Sequence, residues 1–244
     1  MSNGNAALSV EDVTKSFGGL VAVSHVSLQV KEGMIVGLIG ANGAGKTTLF
    51  NIISGKLKPE EGRIVFYGRD TARYTVNKIC KLGIGRTFQI VQPFGDLTVL
   101  ENTTVGALVR TRDVEKAKRN AYKVLELLEF ADKAHVLGAE LGLQYMKRME
   151  IARALATEPK LLLLDEVMAG LNPAATEAMV EIIRKINKAG VTVLIIEHIM
   201  KAIMALSEKI YVMNQGNIIA EGLPDEVAND PEVIRSYLGE RKNA

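Results

Sequence analysis

The segment Gly40-Ala41-Asn42-Gly43-Ala44-Gly45-Lys46-Thr47-Thr48 has the residue types and spacing to hold a chain of phosphates. It fits G-x-x-x-x-G-K-[ST], follows the continuous apolar run 34–39 and leads into a stretch of helical character, 46–54. The glycines permit backbone dihedrals that turn successive N–H groups inward, which makes a nest for phosphate oxygens. The start of the following helix adds its partial positive charge. Lys46 would reach the β- and γ-phosphates, and the Thr47 hydroxyl could ligate Mg²⁺.

A second segment supplies carboxylates. Leu161-Leu162-Leu163-Leu164-Asp165-Glu166 is an apolar strand ending in two acids, so Asp165 should arrive at the carboxyl edge of a sheet, where open α/β sheets bind ligands. Asp165 would hold Mg²⁺, through water, and Glu166 would polarise an attacking water as general base. The competing reading is a pair of solvated strand-end acids. Two further polar residues, Gln89 after Gly85-Arg86-Thr87-Phe88 and His198 after Val193-Leu194-Ile195-Ile196-Glu197, also fall at strand ends. His198 could contact a γ-phosphate and orient Glu166 or the water, although a histidine in such a place is by itself more often structural.

These residues need a scaffold of alternating strands and helices. Strands are expected at 8–13, 21–30, 34–39, 63–67, 160–164, 191–196, 209–213 and 217–220, with turns at 31–33 and Glu61-Gly62. Helices are expected at 46–54, 146–156, 174–188 and 199–206, with Pro173 at a first helical turn. Between 96 and 146 the texture becomes helical throughout. In 114–130, Tyr122, Leu125, Leu128 and Glu129 recur at three- and four-residue spacings. That block interrupts the alternation and reads as an inserted helical subdomain. Buried strands alternating with helices imply a mostly parallel sheet covered on both faces.

The 244 residues allow one large domain or a core with a subdomain, and a net charge of +2 argues against a nucleic-acid coat built on bulk charge. The lone Cys80 has no partner for an internal disulfide, which makes a reducing compartment the expectation. The first residues have no secretory pattern, and no run approaches the ~20 apolar residues of a membrane-spanning helix. Work at a membrane would therefore go through a partner.

Taken together and in this order, the motifs resemble the nucleotide-binding subunits of ATP-binding cassette (ABC) transporters, from about residue 8 to 239. The matching features are an adenine-stacking aromatic at Phe17, the Walker A loop 40–48, the Q-loop glutamine Gln89 and the helical subdomain. Walker B Asp165 with Glu166, the D-loop Ala169-Gly170-Leu171-Asn172 and the switch histidine His198 follow. Lys15-Ser16-Phe17-Gly18-Gly19-Leu20-Val21-Ala22-Val23, Gly85-Arg86-Thr87-Phe88-Gln89, Ala169-Gly170-Leu171-Asn172-Pro173, Ile196-Glu197-His198 and the ending 233–239 resemble the branched-chain amino acid importer type.

The resemblance implies a P-loop NTPase of ABC type: an α/β fold with a mostly parallel core sheet, an N-terminal antiparallel β region and an inserted helical subdomain. The core would span about 8–95 and 158–244, and the subdomain about 96–157. It implies ATP and Mg²⁺ as cofactors, with Phe17, Gly40, Ala41, Asn42, Gly43, Ala44, Gly45, Lys46, Thr47, Thr48, Gln89, Asp165, Glu166 and His198 around the nucleotide. Thr47, Gln89 and Asp165 would serve the metal, and Glu166, His198, Lys46 and Gln89 catalysis. The implied partners are a second ABC subunit, identical or not, two membrane permeases and, indirectly, a solute-binding protein, at the cytoplasmic face of the plasma membrane and without nucleic acid.

The chain departs from the family at the signature loop L-S-G-G-Q. It has Leu141-Gly142-Leu143-Gln144-Tyr145, which lacks the serine hydroxyl and puts a side chain at the second glycine position. Val167 stands where the broad family usually has Pro. A subunit that hydrolyses ATP with its own Walker motifs but lends its partner a weak signature is one expectation. A variant signature with full activity is another, and a regulatory half that holds ATP with little or no hydrolysis is a third. A soluble cassette protein of cluster assembly, repair or translation would carry a second cassette, zinc hooks or long insertions. The basic run Arg110, Arg112, Lys116, Lys118, Arg119 and Lys123 reads as a solvated helix face, with lipid headgroups as the alternative. Phe94 and Leu97 suit either a partner groove or core packing.

Overall fold

The computed structural model describes residues 6–87 and 93–238, with side chains through 235. In chain order the strands are β1 (Ala6–Phe17), β2 (Leu20–Lys31), β3 (Ile35–Gly40), β4 (Glu61–Phe66), β5 (Arg69–Asp70), β6 (Ile84–Arg86), β7 (Leu161–Asp165), β8 (Thr192–Ile196), β9 (Lys209–Asn214) and β10 (Asn217–Gly222). The α-helices are α1 (Lys46–Ile53), α2 (Val76–Leu82), α3 (Val99–Ala107), α4 (Val114–Leu127), α5 (Leu143–Leu155), α6 (Pro173–Lys188), α7 (Met200–Leu206), α8 (Pro224–Ala228) and α9 (Pro231–Leu238). None of the described helices is long and apolar enough to cross a membrane. The chain divides into two compact units, Met1–Ile79 with Thr192–Ala244, and Cys80–Val191.

The first unit holds an antiparallel sheet in the order β2-β1-β4-β5. Along β2 buried and exposed residues alternate, as expected of a strand with one face on a core. Beside it β3 lies parallel to both β8 and β9, and β10 closes antiparallel on β9. Ile35, Val36, Leu38 and Ile39 of β3 and all of β8 are buried, the run expected of strands covered on both faces. β1 is longer than its apolar core, because Lys15-Ser16-Phe17 continues the pairing with β2 through register shifts. Glu61-Gly62 opens β4 rather than forming a separate turn, since Glu61 already pairs with Thr14.

In the second unit β6 and β7 run parallel, with Arg86 in register with Leu163. The helical part packs α3 against α4 and α5 through Ala107, Ala117 and Ala156, with Val124 alongside. Small side chains at the crossing let the helix axes approach closely. The buried stripe of α4 is therefore Ala117, Ala121 and Leu125, and Tyr122 is exposed. That helix ends at Leu127, and Glu129 adopts a left-handed backbone that turns the chain toward buried Phe130. Arg110 is not part of a solvated face. Its guanidinium donates to the carbonyls of Thr157 (2.6 Å), Lys81 (2.8 Å) and Glu158 (3.2 Å), clasping the end of α2 and the segment 157–158. Arg112, Lys116, Lys118, Arg119 and Lys123 are exposed.

Candidate nucleotide site

The phosphate-type loop belongs to the first unit, where neighbouring backbone fixes its shape. Gly40 closes β3 at φ 150°, and a Cβ there would sit 2.1 Å from the Met213 carbonyl oxygen. Gly45 caps α1 at φ 101°, and a Cβ there would sit 2.2 Å from the Ala22 carbonyl oxygen. Only glycine fits at either point. The Gly216 N–H donates to Ala44 (3.0 Å) and the Ser24 N–H to Gly216 (2.8 Å), which tie the loop to the β9–β10 turn and to β2. No side chain caps α1 and its first turn carries no acid, so the dipole and the early N–H groups of the helix are presented to an anion.

Lys46 is buried, and its Nζ donates to the carbonyls of Gly40 and Ala41, each at 2.7 Å. The ammonium is thus held over the loop that it would share with phosphate. Asn42, Gly43 and Thr47 are exposed and Ala41 and Thr48 half-buried, which leaves the mouth of the loop open. Phe17 ends β1 with 46% of its surface exposed, beside exposed Leu20 and Val21, so it is not a core residue. Its ring lies 5.5 Å from the Lys15 Nζ. His198 is exposed two residues past β8, between buried Glu197 and the cap of α7.

The carboxylates belong to the second unit. Asp165 ends β7 with its side chain 1% exposed, and Arg86 Nη2 donates to its Oδ2 at 3.0 Å. Burial pushes the Arg86 guanidinium below its ordinary value, and the Asp165 charge opposes that shift. The Thr87 hydroxyl accepts from the Asp165 N–H at 3.1 Å, while the Thr87 N–H donates to Leu163 at 3.0 Å. Arg86 and Thr87 were not singled out as site residues by the spacing of the sequence. The available signal was their place at a strand end just before Gln89, which itself lies outside the described residues.

Glu166 has φ 50°, a left-handed backbone that costs a non-glycine residue about 1–2 kcal/mol. Its carbonyl accepts from Lys147 Nζ (3.0 Å) and the Ala169 N–H (3.2 Å), and the chain behind it is anchored by buried Val167 and Met168. Strain of this kind gathers at functional positions because the surroundings must over-determine it. Downstream, Asn172 caps α6 by accepting from the Ala175 N–H at 2.8 Å, with Pro173 at the first helical position.

The donors available for a metal are the Thr47 hydroxyl and the Asp165 carboxylate, both hard oxygens. Among the described residues no group of three or more His, Cys, Asp or Glu could cage an ion. Taken singly, each is an oxygen of the kind Mg²⁺ accepts, since that ion keeps several waters and takes one or two protein oxygens together with substrate phosphates.

Gly142 caps α5 with no side-chain hydrogen bond, and the helix starts at Leu143, three residues earlier than expected, because nothing in Leu143-Gln144-Tyr145 opposes helix. Gln144 is exposed. The Tyr145 ring stacks on Phe130 at 5.9 Å and 3°, with Lys133 Nζ 5.0 Å from its centroid. Phe94 is 47% exposed under the Arg153 guanidinium, and Leu97 is half-buried. Fully buried Asn102 organises that loop. Its amide accepts from the Phe94 N–H and donates to the carbonyls of Phe94, Leu97 and Thr98, all at 3.0 Å.

Comparison with known proteins gives a consistent result. Residues 23–169 match the model for the ABC transporter family, and residues 217–243 match that for the branched-chain amino acid ATP-binding cassette transporter. The high-affinity branched-chain amino acid transport ATP-binding protein LivG of Salmonella typhimurium is 41% identical, over 96% of this chain and 98% of its own. The corresponding protein BraF of Pseudomonas aeruginosa is 38% identical over the same shares. Among solved structures, an ABC transporter cassette in its ADP conformation superposes with a TM-score of 0.88 at 34% identity, covering 96% of this chain and 99% of that one. A dimeric cassette in a post-hydrolysis state with ADP and Pi gives 0.80 at 28%, covering 89% and 98%. With its loop, its strand-end acids and these likenesses along nearly its whole length, the chain belongs to the ABC transporter family as an ATP-binding cassette.

Proposed function

We propose that this chain binds ATP with Mg²⁺, hydrolyses it, and powers a membrane importer for branched-chain amino acids or a similar small solute. The observation that carries the reading is Lys46 held over an uncapped helix start, in a chain that matches LivG and BraF over 96% of its length. In this reading Phe17 stacks on adenine. The N–H groups of 40–48 and Lys46 hold the phosphates, and Thr47, Asp165 and Gln89 serve the metal. Bound Mg²⁺ would neutralise charge on the β- and γ-phosphates. Glu166 accepts a proton from the attacking water, and His198 contacts the γ-phosphate and orients that water.

The proposed assembly pairs this chain with a second cassette and two permeases on the cytoplasmic face of the plasma membrane. A solute-binding protein delivers the cargo, and no nucleic acid takes part. Residues 96–157 form the helical subdomain and the rest the core. A regulatory half without hydrolysis is not favoured, since Lys46, Asp165, Glu166 and His198 are all present.

The test is reconstitution with cassette partner and permeases in vesicles, measuring ATP hydrolysis and leucine uptake. Glu166→Gln should bind ATP with unchanged affinity and lose hydrolysis at this chain's site by about 100-fold or more. Wild-type turnover in that variant would overturn the assignment of the base. Absence of ATP binding by the unmodified assembly would overturn the function.

A further inference from the structure

The Walker B carboxylate is already paired with a fixed positive group. Arg86 and Asp165 end adjacent parallel strands, and Arg86 Nη2 lies 3.0 Å from Asp165 Oδ2 with both side chains buried. The hydroxyl of Thr87 holds the Asp165 N–H, so the backbone beneath the pair is pinned as well. The arginine is part of a strand rather than a loop. A guanidinium does not deprotonate in a protein, so its charge persists at every working pH.

We infer that Arg86 is a positioning residue: it holds the Asp165 carboxylate in place, and its charge sets how strongly a divalent cation couples to nucleotide binding. The inference rests on the reading of Asp165 as a metal-serving residue. An ionised carboxylate offers about four lone-pair sites, so a guanidinium and a hydrated cation can share it. The two cationic groups then repel each other across that carboxylate, and the repulsion is strong because the site is desolvated. Arg86 therefore weakens the grip on the cation. It acts as a built-in counter-ion that keeps the metal exchangeable between turnovers.

The experiment uses the full chain and ADP, titrated calorimetrically with excess Mg²⁺ and again with EDTA. The ratio of the two dissociation constants is the metal coupling factor. Asp165→Asn should lower that factor at least threefold, Arg86→Gln should raise it at least threefold, and Arg86→Lys should leave it within twofold. A merely structural role for Arg86 would change both dissociation constants alike and leave the factor unmoved. An unchanged factor in Asp165→Asn overturns the reading of Asp165, and this inference with it. A lowered factor there, with an unchanged or lowered one in Arg86→Gln, overturns the inference alone, as does a threefold rise in Arg86→Lys. Circular dichroism establishes that each variant is folded. Where Arg86→Gln is not, Arg86→Met takes its place with the same limits.

Discussion

Adding one methyl group at two glycines of the same loop separates backbone strain from steric exclusion. Gly43 has φ 79° and nothing within 4 Å of a Cβ, so Gly43→Ala carries only the left-handed backbone cost, about 1–2 kcal/mol. Gly45 has φ 101°, and its Cβ would stand 2.2 Å from the Ala22 carbonyl oxygen, where an ordinary contact needs about 3.5 Å. The β2 backbone or the start of α1 must give way by more than an ångström, and overpacking adds about 1–3 kcal/mol to the same strain. The total for Gly45→Ala is then about 2–5 kcal/mol. At roughly 2–4 °C per kcal/mol for a chain of this size, Gly45→Ala should lower the thermal midpoint by about 10 °C, and Gly43→Ala by about 4 °C. Melts followed by circular dichroism without nucleotide provide the comparison. Midpoints that agree within about 1 °C, or fall in the reverse order, would show that neighbouring backbone does not enforce the loop.

Asn102→Leu strips the Phe94 N–H of its acceptor and the Phe94, Leu97 and Thr98 carbonyls of a donor, and should destabilise by about 2–3 kcal/mol, read from urea unfolding, with faster proteolysis around 93–98. Glu101 completes the capping box of α3, and its carboxyl is held below the ordinary value first by the Thr98 N–H and then by the Thr98 hydroxyl. A depressed folded value means its contribution is present above the usual carboxylate range and is lost as pH falls through the folded value. Glu101→Gln should therefore flatten the acid limb of a stability–pH profile, and an unaltered limb would contradict the capping account. Gly142→Ser enters open space and should leave the midpoint within about 1 °C. It should also raise ATP turnover of the assembled transporter, and unchanged turnover would indicate a signature already fully competent.

The phosphate loop is legible because its chemistry is local: glycines, lysine and threonine are contiguous, and the strand and helix around them have strong patterns. The acids at 165–166 are legible for the same reason. What escaped is long-range. Arg110 reads as one cation in a basic run until carbonyls from two distant segments, 80–81 and 157–158, converge on it. Arg86 meets its acid across 79 positions of chain. The spacing alone runs the stripe of α4 through Tyr122 because aromatics dominate a hydrophobic pattern, whereas helices in close contact need Ala117 and Ala121. β6, with three residues of which one is glycine, carries too little pattern to be recognised alone and owes its strand form to pairing with β7.

The stacked pair of Tyr145 and Phe130 ties the start of α5 to a fully buried side chain. A shorter residue at position 145 would uncover part of the Phe130 ring and remove the face that Lys133 and Arg148 flank. A glutamine at 145 therefore costs packing that changes at exposed Gly142 and Gln144 do not.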